Sequence, residues 1–172
     1  MKHTISALVE NYSGVLSRIS GLFSARGFNI NSLTVGETED PTVSRMTIVV
    51  DGDERTLEQV KKQLNKLIDV ITVHDLTKTR FIDRELILIK VAVESPKDRC
   101  EIIEIAGNMK ADIVDLGSQT ITVEAAGDTP AIDKLVGSLR QFGIKEIVRT
   151  GKIAMSLDPM EKAQKTPKEE EE

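Results

Sequence analysis

The chain opens with alternating apolar and polar residues, and the period then changes to that of a helix. Ile5, Ala7 and Val9 alternate with polar residues, which predicts a half-buried strand. From Gly14 onward apolar residues recur at helical spacing, and Gly27 supplies the left-handed residue that commonly ends a helix. The start of the chain therefore predicts a strand followed by a helix.

The next segments complete a unit of four strands and two helices. The segment FNINSLTV, residues 28–35, predicts a second strand, in which a bulge or burial on both faces explains apolar residues that are out of phase. A polar turn at residues 37–41 leads into a third strand, SRMTIVVDG, and Asp53 can cap a second helix. VITVHDL closes the unit, so the predicted order is βαββαβ.

The second half of the chain repeats this order. LILIKVAVE predicts a strand, Pro96 begins a helix, and a hairpin turns around Gly117 and Ser118. Asp128 opens another helix, and IKEIVRTG supplies the last strand. The sequence thus predicts an α+β protein with two ferredoxin-like βαββαβ sandwiches in tandem.

The expected domain boundaries follow changes in composition. We expect a first domain at residues 1–77, a short charged linker at 78–84 and a second domain at 85–157. Residues 158–172 contain almost no apolar side chains and end in four glutamates. Such a segment cannot bury enough apolar surface to fold, so we expect a disordered acidic tail there.

Charge and composition argue against several classes of partner. The 172 residues carry a formal net charge of −5, so no general electrostatic field attracts nucleic acid or an anionic membrane. The longest apolar run, LILI, is too short to span a bilayer, and the N-terminus lacks the apolar core of a signal peptide. The single Cys100 cannot form an intrachain disulfide. We expect a cytoplasmic protein without nucleic-acid or membrane partners.

Few residues could carry catalysis or hold a metal. His3, His74 and Cys100 cannot build a four-ligand zinc site, and the nucleophile elbow, phosphate loop and dinucleotide glycine patterns are absent from the sequence. RNA-recognition modules share the βαββαβ order but stack bases on aromatic residues, whereas the central strands here are aliphatic. An acylphosphatase-like hydrolase stays an alternative, although the loop ENYSG lacks an arginine and Arg18 lies one turn further on.

The loop ENYSG, before the first helix, has the chemistry to bind a small anionic ligand. A helix N-terminus exposes unpaired amides and a partial positive charge, and Gly14 lets a ligand approach the backbone. Asn11 can donate and accept hydrogen bonds, as can Asn29 at the start of the second strand. The residues alone allow an equally good interpretation, in which Asn11 and Ser13 cap the helix and Asn29 occupies a turn.

Apolar residues beside this loop could enclose a small aliphatic side chain. The candidate effector-binding residues are Asn11, Gly14, Val15, Leu16, Asn29 and Ile30. We expect no catalytic residue and no metal ligand. Gly21, in the middle of the predicted helix, is expected to permit close helix packing.

A resemblance to a known family covers about residues 3 to 157. The pieces N-x-S-G-V-L-S-R, L-F-x-x-R-G-F-N-I and S-L-T-V, followed by P-T-x-S-R-M-T, closely resemble the N-terminal ACT domain of the acetolactate synthase (acetohydroxyacid synthase) small regulatory subunit family. RELILIKV, DIVDLG and IVRTGKIAMS are similar to the second domain of that family. The resemblance implies that the first sandwich is an ACT domain.

The resemblance also implies a function. It indicates a noncatalytic subunit for branched-chain amino acid (valine, isoleucine, leucine) biosynthesis, which stimulates a large catalytic subunit and confers allosteric feedback inhibition by valine. The catalytic partner is expected to use thiamine diphosphate, magnesium and FAD, whereas this chain is expected to bind no cofactor itself. A free-standing ACT protein that senses amino acids and regulates another enzyme is the alternative.

In this family the effector site lies between two ACT domains of a homodimer. The resemblance places Asn11, Gly14, Val15 and Leu16 on one chain, and Asn29 and Ile30 on the other. The strand order supports a dimer independently, because the segment FNINSLTV lies at a sheet edge, where a second chain can pair with it.

Overall fold

The computed structural model describes residues 1–157 and contains the predicted βαββαβ order twice. The chain forms two compact units, one comprising Met1–Ile82 with the residues from Ala154 onward, the other Asp83–Ile153. The predicted fold class, two ferredoxin-like sandwiches in tandem, is confirmed. The disordered tail expected at 158–172 lies outside the described residues.

The first unit is an antiparallel sheet with two helices. Its elements are β1 (Lys2–Glu10), α1 (Val15–Ala25), β2 (Ile30–Glu37), β3 (Val43–Asp51), α2 (Glu54–Leu64) and β4 (Val70–Asp75). The strands lie in the order β2-β3-β1-β4, so β2 is an edge strand, as predicted. Of the two explanations offered for the apolar pattern of this strand, a bulge and burial on both faces, the bulge is present, since its pairing with β3 shifts register between Ile30 and Ser32.

One face of this sheet packs against the helices. Ile5, Ala7 and Val9 of β1 are buried in a core that also contains Phe23 of α1 and Leu57 of α2. The alternation read from the sequence thus identifies the side of β1 that faces the helices. Val15 belongs to the same core, so the start of α1 is held against the sheet.

The second unit repeats the arrangement. Its elements are β5 (Phe81–Ala92), α3 (Pro96–Asn108), β6 (Asp112–Leu116), β7 (Thr120–Gly127), α4 (Thr129–Leu139) and β8 (Ile144–Arg149). The strand order is β6-β7-β5-β8, and the predicted hairpin at Gly117 and Ser118 joins β6 to β7. Ser95 and Asp128 accept hydrogen bonds from the first turns of α3 and α4, so both helices begin where the sequence predicts.

A ninth strand was not predicted from the sequence. Strand β9 (Ile153–Ser156) pairs with β5, and the Leu157 amide donates to the Arg80 carbonyl at 2.8 Å. The Ala154 amide donates to Oγ1 of Thr47, a buried residue on the sheet face that α1 and α2 leave open. Residues 78–84, the expected linker, run from a turn into the first residues of β5.

The helices of the described part of the chain are short. None of those within residues 1–157 is long and apolar enough to cross a membrane.

The packing role expected for Gly21 is wrong. Gly21 is exposed on α1, and a Cβ atom added there would meet no heavy atom within 4 Å. Gly21 faces away from the core, because the buried residues Ile19 and Phe23 lie on the opposite side of the helix. This glycine therefore lowers helix propensity without a packing contact from residues 1–157 to compensate.

We predict that Gly21→Ala raises the free energy of unfolding by about 1 kcal/mol, the usual difference between alanine and glycine inside a helix. Urea unfolding followed by fluorescence of Tyr12, the one tyrosine in a chain without tryptophan, measures the change in the first unit. Gly27→Ala is the matched control, because its Cβ also meets open space but its φ of +69° disfavours alanine. We expect that control to lose about 1 kcal/mol. A destabilised Gly21→Ala would restore the packing interpretation.

Candidate functional site

The loop between β1 and α1 ends in a helix start without a side-chain cap. Gly14 is the N-cap residue of α1, with φ 91° and ψ −16°, and no side chain accepts a hydrogen bond from the first turn. Asn11 and Ser13 therefore do not cap this helix, contrary to one interpretation of the sequence. The other three α-helices each have such a cap, from Asp53, Ser95 and Asp128.

Gly14 leaves the space in front of this helix end open. Its positive φ lies in the left-handed region that favours glycine, and an added Cβ would meet no atom within 4 Å. The first amides of a helix have no intrahelical acceptor and carry a partial positive charge. The start of α1 can therefore receive a carboxylate without displacing a side chain.

Asn11 is held by the turn between β2 and β3. Its Nδ2 donates to the carbonyl of Pro41 at 2.8 Å and to Oε1 of Glu37 at 3.1 Å. Its backbone amide donates to the carbonyl of Thr42 at 2.7 Å. Three hydrogen bonds thus fix both the backbone and the side chain of an exposed residue.

A buried carboxylate holds the same loop from another side. Asp69, between α2 and β4, is 2% exposed and accepts a hydrogen bond from the Tyr12 hydroxyl. The Arg18 Nε lies 2.7 Å from Asp69 Oδ2, and the guanidinium stands 5.7 Å from the centre of the Tyr12 ring. The backbone carbonyl of Asp69 also accepts from the Glu10 amide at 2.9 Å. This network ties the loop to the end of the sheet.

The same network bears on the hydrolase alternative. An acylphosphatase-like mechanism would need an arginine at the phosphate in the loop, and Arg18 is the nearest one in sequence. The Arg18 guanidinium is already paired with the Asp69 carboxylate. Its charge is therefore partly neutralised at the place where a phosphate would need it.

The apolar candidates differ in burial. Val15 is buried in the core of the first unit, whereas Leu16 is 48% exposed beside the loop. Ile30 is half-buried and packs against the same core, and Asn29 is exposed just before β2. Leu16 is thus the apolar residue at the start of α1 that a ligand can reach, whereas Val15 belongs to the core.

The structure does not bring all six candidates together within one chain. Asn11 contacts Glu37 at the end of β2, while Asn29 and Ile30 lie at its beginning. Glu37 pairs with Ser44 and Ile30 with Val50, at opposite ends of β3. With a rise of about 3.3 Å per residue, the two ends of β2 are about 23 Å apart. One chain therefore contains the two halves of the candidate site at separate places.

Sequence reasoning missed the side chains that hold the loop. Asp69 is the one charged residue in the segment 68–73, where the other residues are apolar except for Thr72. An acid in such a segment is expected to be buried, and a buried carboxylate needs a partner. Glu37 gave no comparable signal, because it lies in the polar turn segment ETEDP. Its contact with Asn11 joins residues far apart in the sequence.

The second unit offers a groove rather than a set of convergent ligands. A cavity of about 170 Å³ lies on its open sheet face and is lined by Leu88, Lys90, Thr122, Glu146 and Val148. Lys90 Nζ and Glu146 Oε2 pair there at 2.7 Å. Among residues 1–157, no group of three His, Cys, Asp or Glu side chains is arranged to hold a metal ion.

Both halves of the chain match families of known proteins. Residues 5–72 match the family described as AHAS small subunit-like ACT domain, and residues 84–158 match the small subunit of acetolactate synthase. A "Probable acetolactate synthase small subunit" of Methanothermobacter thermautotrophicus is 53% identical over 154 residues, 90% of this chain and 92% of that protein. The acetolactate synthase small subunit of Mycobacterium leprae is 48% identical over 157 residues, 91% and 92% of the two chains.

A solved structure agrees with these matches. The crystal structure of the acetolactate synthase small subunit from Thermotoga maritima superposes with a TM-score of 0.84 at 36% sequence identity. The alignment covers 93% of this chain and 99% of that one. The similarity thus extends over both units.

We predict that Tyr12 titrates above its ordinary pKa of 10.0, chiefly because its hydroxyl donates to the Asp69 carboxylate. The neutral hydroxyl is the form that Asp69 binds, so this contact stabilises the fold below about pH 10 and is lost as the pH rises through the raised pKa. Absorbance at 295 nm reports Tyr12 directly, since the chain has no other tyrosine.

Two variants give opposite shifts in this titration. Asp69→Asn removes the negative charge, so the pKa of Tyr12 should fall toward its ordinary value. Arg18→Gln removes a nearby positive charge that lowers the Tyr12 pKa, so the pKa should rise further. Identical titration curves for the parent and Asp69→Asn would mean that the Tyr12–Asp69 contact does not form in solution.

Proposed function

The chain belongs to the acetolactate synthase small-subunit family, and we propose that it is the cytoplasmic, noncatalytic regulatory subunit of that enzyme. In this proposal it binds the large catalytic subunit, stimulates it and confers feedback inhibition by valine. The large subunit would contribute the cofactors, namely thiamine diphosphate, magnesium and FAD. The reaction would serve the biosynthesis of valine, isoleucine and leucine.

The uncapped start of α1 is the observation that carries the effector proposal. A free amino acid has a carboxylate that fits the first turn of α1 behind Gly14, where no side chain within residues 1–157 caps the helix. Leu16 lies beside this point and offers an apolar surface to an aliphatic side chain. Asn11, fixed by the β2–β3 turn, supplies a polar group at the other side of the loop.

A homodimer would complete the site. Strand β2 is an edge strand, and two copies paired antiparallel about a two-fold axis would join their sheets. Antiparallel pairing sets the beginning of one β2 against the end of the other. Asn29 of the partner subunit would then approach Asn11 and Gly14. The two halves of the site, which the length of β2 holds about 23 Å apart within one chain, would meet between the two chains.

Two equivalent pockets would follow from this symmetry. Each pocket would use the loop of one chain and the start of β2 of the other, so ligand binding would favour one arrangement of the dimer. A coupling of about 1 to 3 kcal/mol between effector and catalytic subunit is typical of allosteric proteins and would suffice for feedback inhibition.

We predict that the purified protein binds valine and that Gly14→Asp or Asn29→Ala weakens binding about tenfold or more, as measured by isothermal titration calorimetry. Gly14→Asp places a negatively charged side chain where the ligand carboxylate would bind, and Asn29→Ala removes a charge-assisted hydrogen bond. Gly143→Asp is the matched control, since Gly143 has a similar φ of +85° but lies in the second unit. Unaltered valine binding in both site variants would refute this site.

We predict that adding the protein to its cognate catalytic subunit forms a complex and raises the rate of acetolactate formation. Valine should then lower that rate, and Gly14→Asp should reduce the sensitivity to valine while complex formation persists. Size-exclusion chromatography and a colorimetric acetolactate assay measure the two effects. Valine binding without a complex or a change in rate would favour the alternative of a free-standing amino-acid sensor.

A further inference from the structure

The orientation of the Asn11 amide is determined by its two partners. Both the Pro41 carbonyl and the Glu37 carboxylate are acceptors, and both lie within hydrogen-bond distance of the same Asn11 atom. Only the NH₂ group of an amide can satisfy two acceptors, so the nitrogen faces the turn. The Oδ1 atom then remains as the acceptor that Asn11 offers to a ligand.

Glu37 adds a negative charge beside this acceptor. It is exposed at the end of β2, and no lysine or arginine within residues 1–157 forms a salt bridge with it. An unpaired carboxylate next to a fixed amide oxygen attracts a cationic donor. The loop therefore has two sides of opposite character, with the positive end of the uncapped helix α1 at Gly14 and oxygen acceptors at Asn11 and Glu37.

We propose that Glu37, acting with Asn11, makes the site selective for ligands that carry an α-ammonium group. This inference rests on the proposed effector site and adds a specificity-determining residue to it. The ligand class is an α-amino acid, and the class that is rejected is the 2-oxo acid with the same side chain.

This distinction cannot come from the rest of the loop. A branched-chain amino acid and its 2-oxo acid have the same side chain and the same carboxylate, so Leu16 and the start of α1 contact both alike. The two molecules differ at the α-carbon, where one carries an ammonium donor and the other a carbonyl acceptor. A carbonyl oxygen facing Asn11 Oδ1 and the Glu37 carboxylate would be repelled.

The geometry also accounts for an asparagine rather than an aspartate at position 11. A carboxylate there would face the Pro41 carbonyl and the Glu37 carboxylate with three acceptors and no donor. The amide avoids this conflict and keeps one oxygen for the ligand. Glu37 thus has two roles, since it orients Asn11 and adds charge.

The test is calorimetric titration of the full chain with valine and with 3-methyl-2-oxobutanoate, its 2-oxo acid counterpart. The parent protein should bind the oxo acid at least about tenfold more weakly than valine. Glu37→Gln keeps an oxygen that accepts from Asn11 but removes the charge, so valine affinity should fall about three- to tenfold. Affinity for the oxo acid should not fall, and the ratio between the two ligands should narrow.

Glu39→Gln is the matched control, because Glu39 is an exposed acid of the same turn. We expect it to change neither affinity. A second pair of variants tests the orientation of Asn11. Asn11→Asp should abolish valine binding, and adding Glu37→Gln should restore part of it, because the introduced amide can donate to the new carboxylate.

The outcomes separate this inference from the proposed function. Valine binding that is unchanged in Glu37→Gln, or an equal loss for valine and the oxo acid, would overturn the role of Glu37 and leave the effector site standing. A parent protein that binds neither ligand would overturn the effector site itself. Circular dichroism of each variant checks that the fold is intact.

Discussion

The edge position of β2 is the constraint on which the arrangement of the candidate site depends. In the order β2-β3-β1-β4, the strand that follows α1 lies at one edge of the sheet, and β4 lies at the opposite edge. Because Asn29 directly precedes this strand and Glu37 ends it, the length of β2 separates the two halves of the candidate site. A second copy that pairs with this edge would join the two halves of the site in a single step.

The loop before α1 is held rigidly although most of its residues are exposed. Asn11 is bonded to the β2–β3 turn, and Tyr12 is bonded to Asp69, which lies directly before β4, on the other side of β1 at the same end of the sheet. These anchors fix the loop but leave the start of α1 without a side-chain cap. A loop that is already ordered loses little conformational freedom when a ligand binds, so the ligand's contacts are available for affinity.

The sequence predicted the elements well because each one carries its own burial pattern. The alternation of Ile5, Ala7 and Val9, the caps at Asp53 and Asp128, and the bulge near Ile30 are all local signals, and all are present. Strand β9 escaped prediction because its four residues are stabilised by β5 and by Thr47, which lie far away in the chain. The prediction of close helix packing at Gly21 was wrong for a related reason. A glycine in a helix looks the same in the sequence whether or not another element packs against it.

The candidate site was predictable as a list of residues but not as a geometry. Asn11 and Gly14 stand out in the sequence, yet nothing local reveals that Glu37 and Pro41 turn the Asn11 amide or that Asp69 holds Tyr12. These contacts determine which groups one chain offers to the ligand in the proposed regulation. A ligand shifts an equilibrium only by its difference in affinity for two states, and a single chain presents the Asn11 half of the contacts alone. The difference in affinity would come from Asn29 and Ile30 of the partner subunit. Valine would therefore bind more tightly to the dimer in which the two β2 strands are paired.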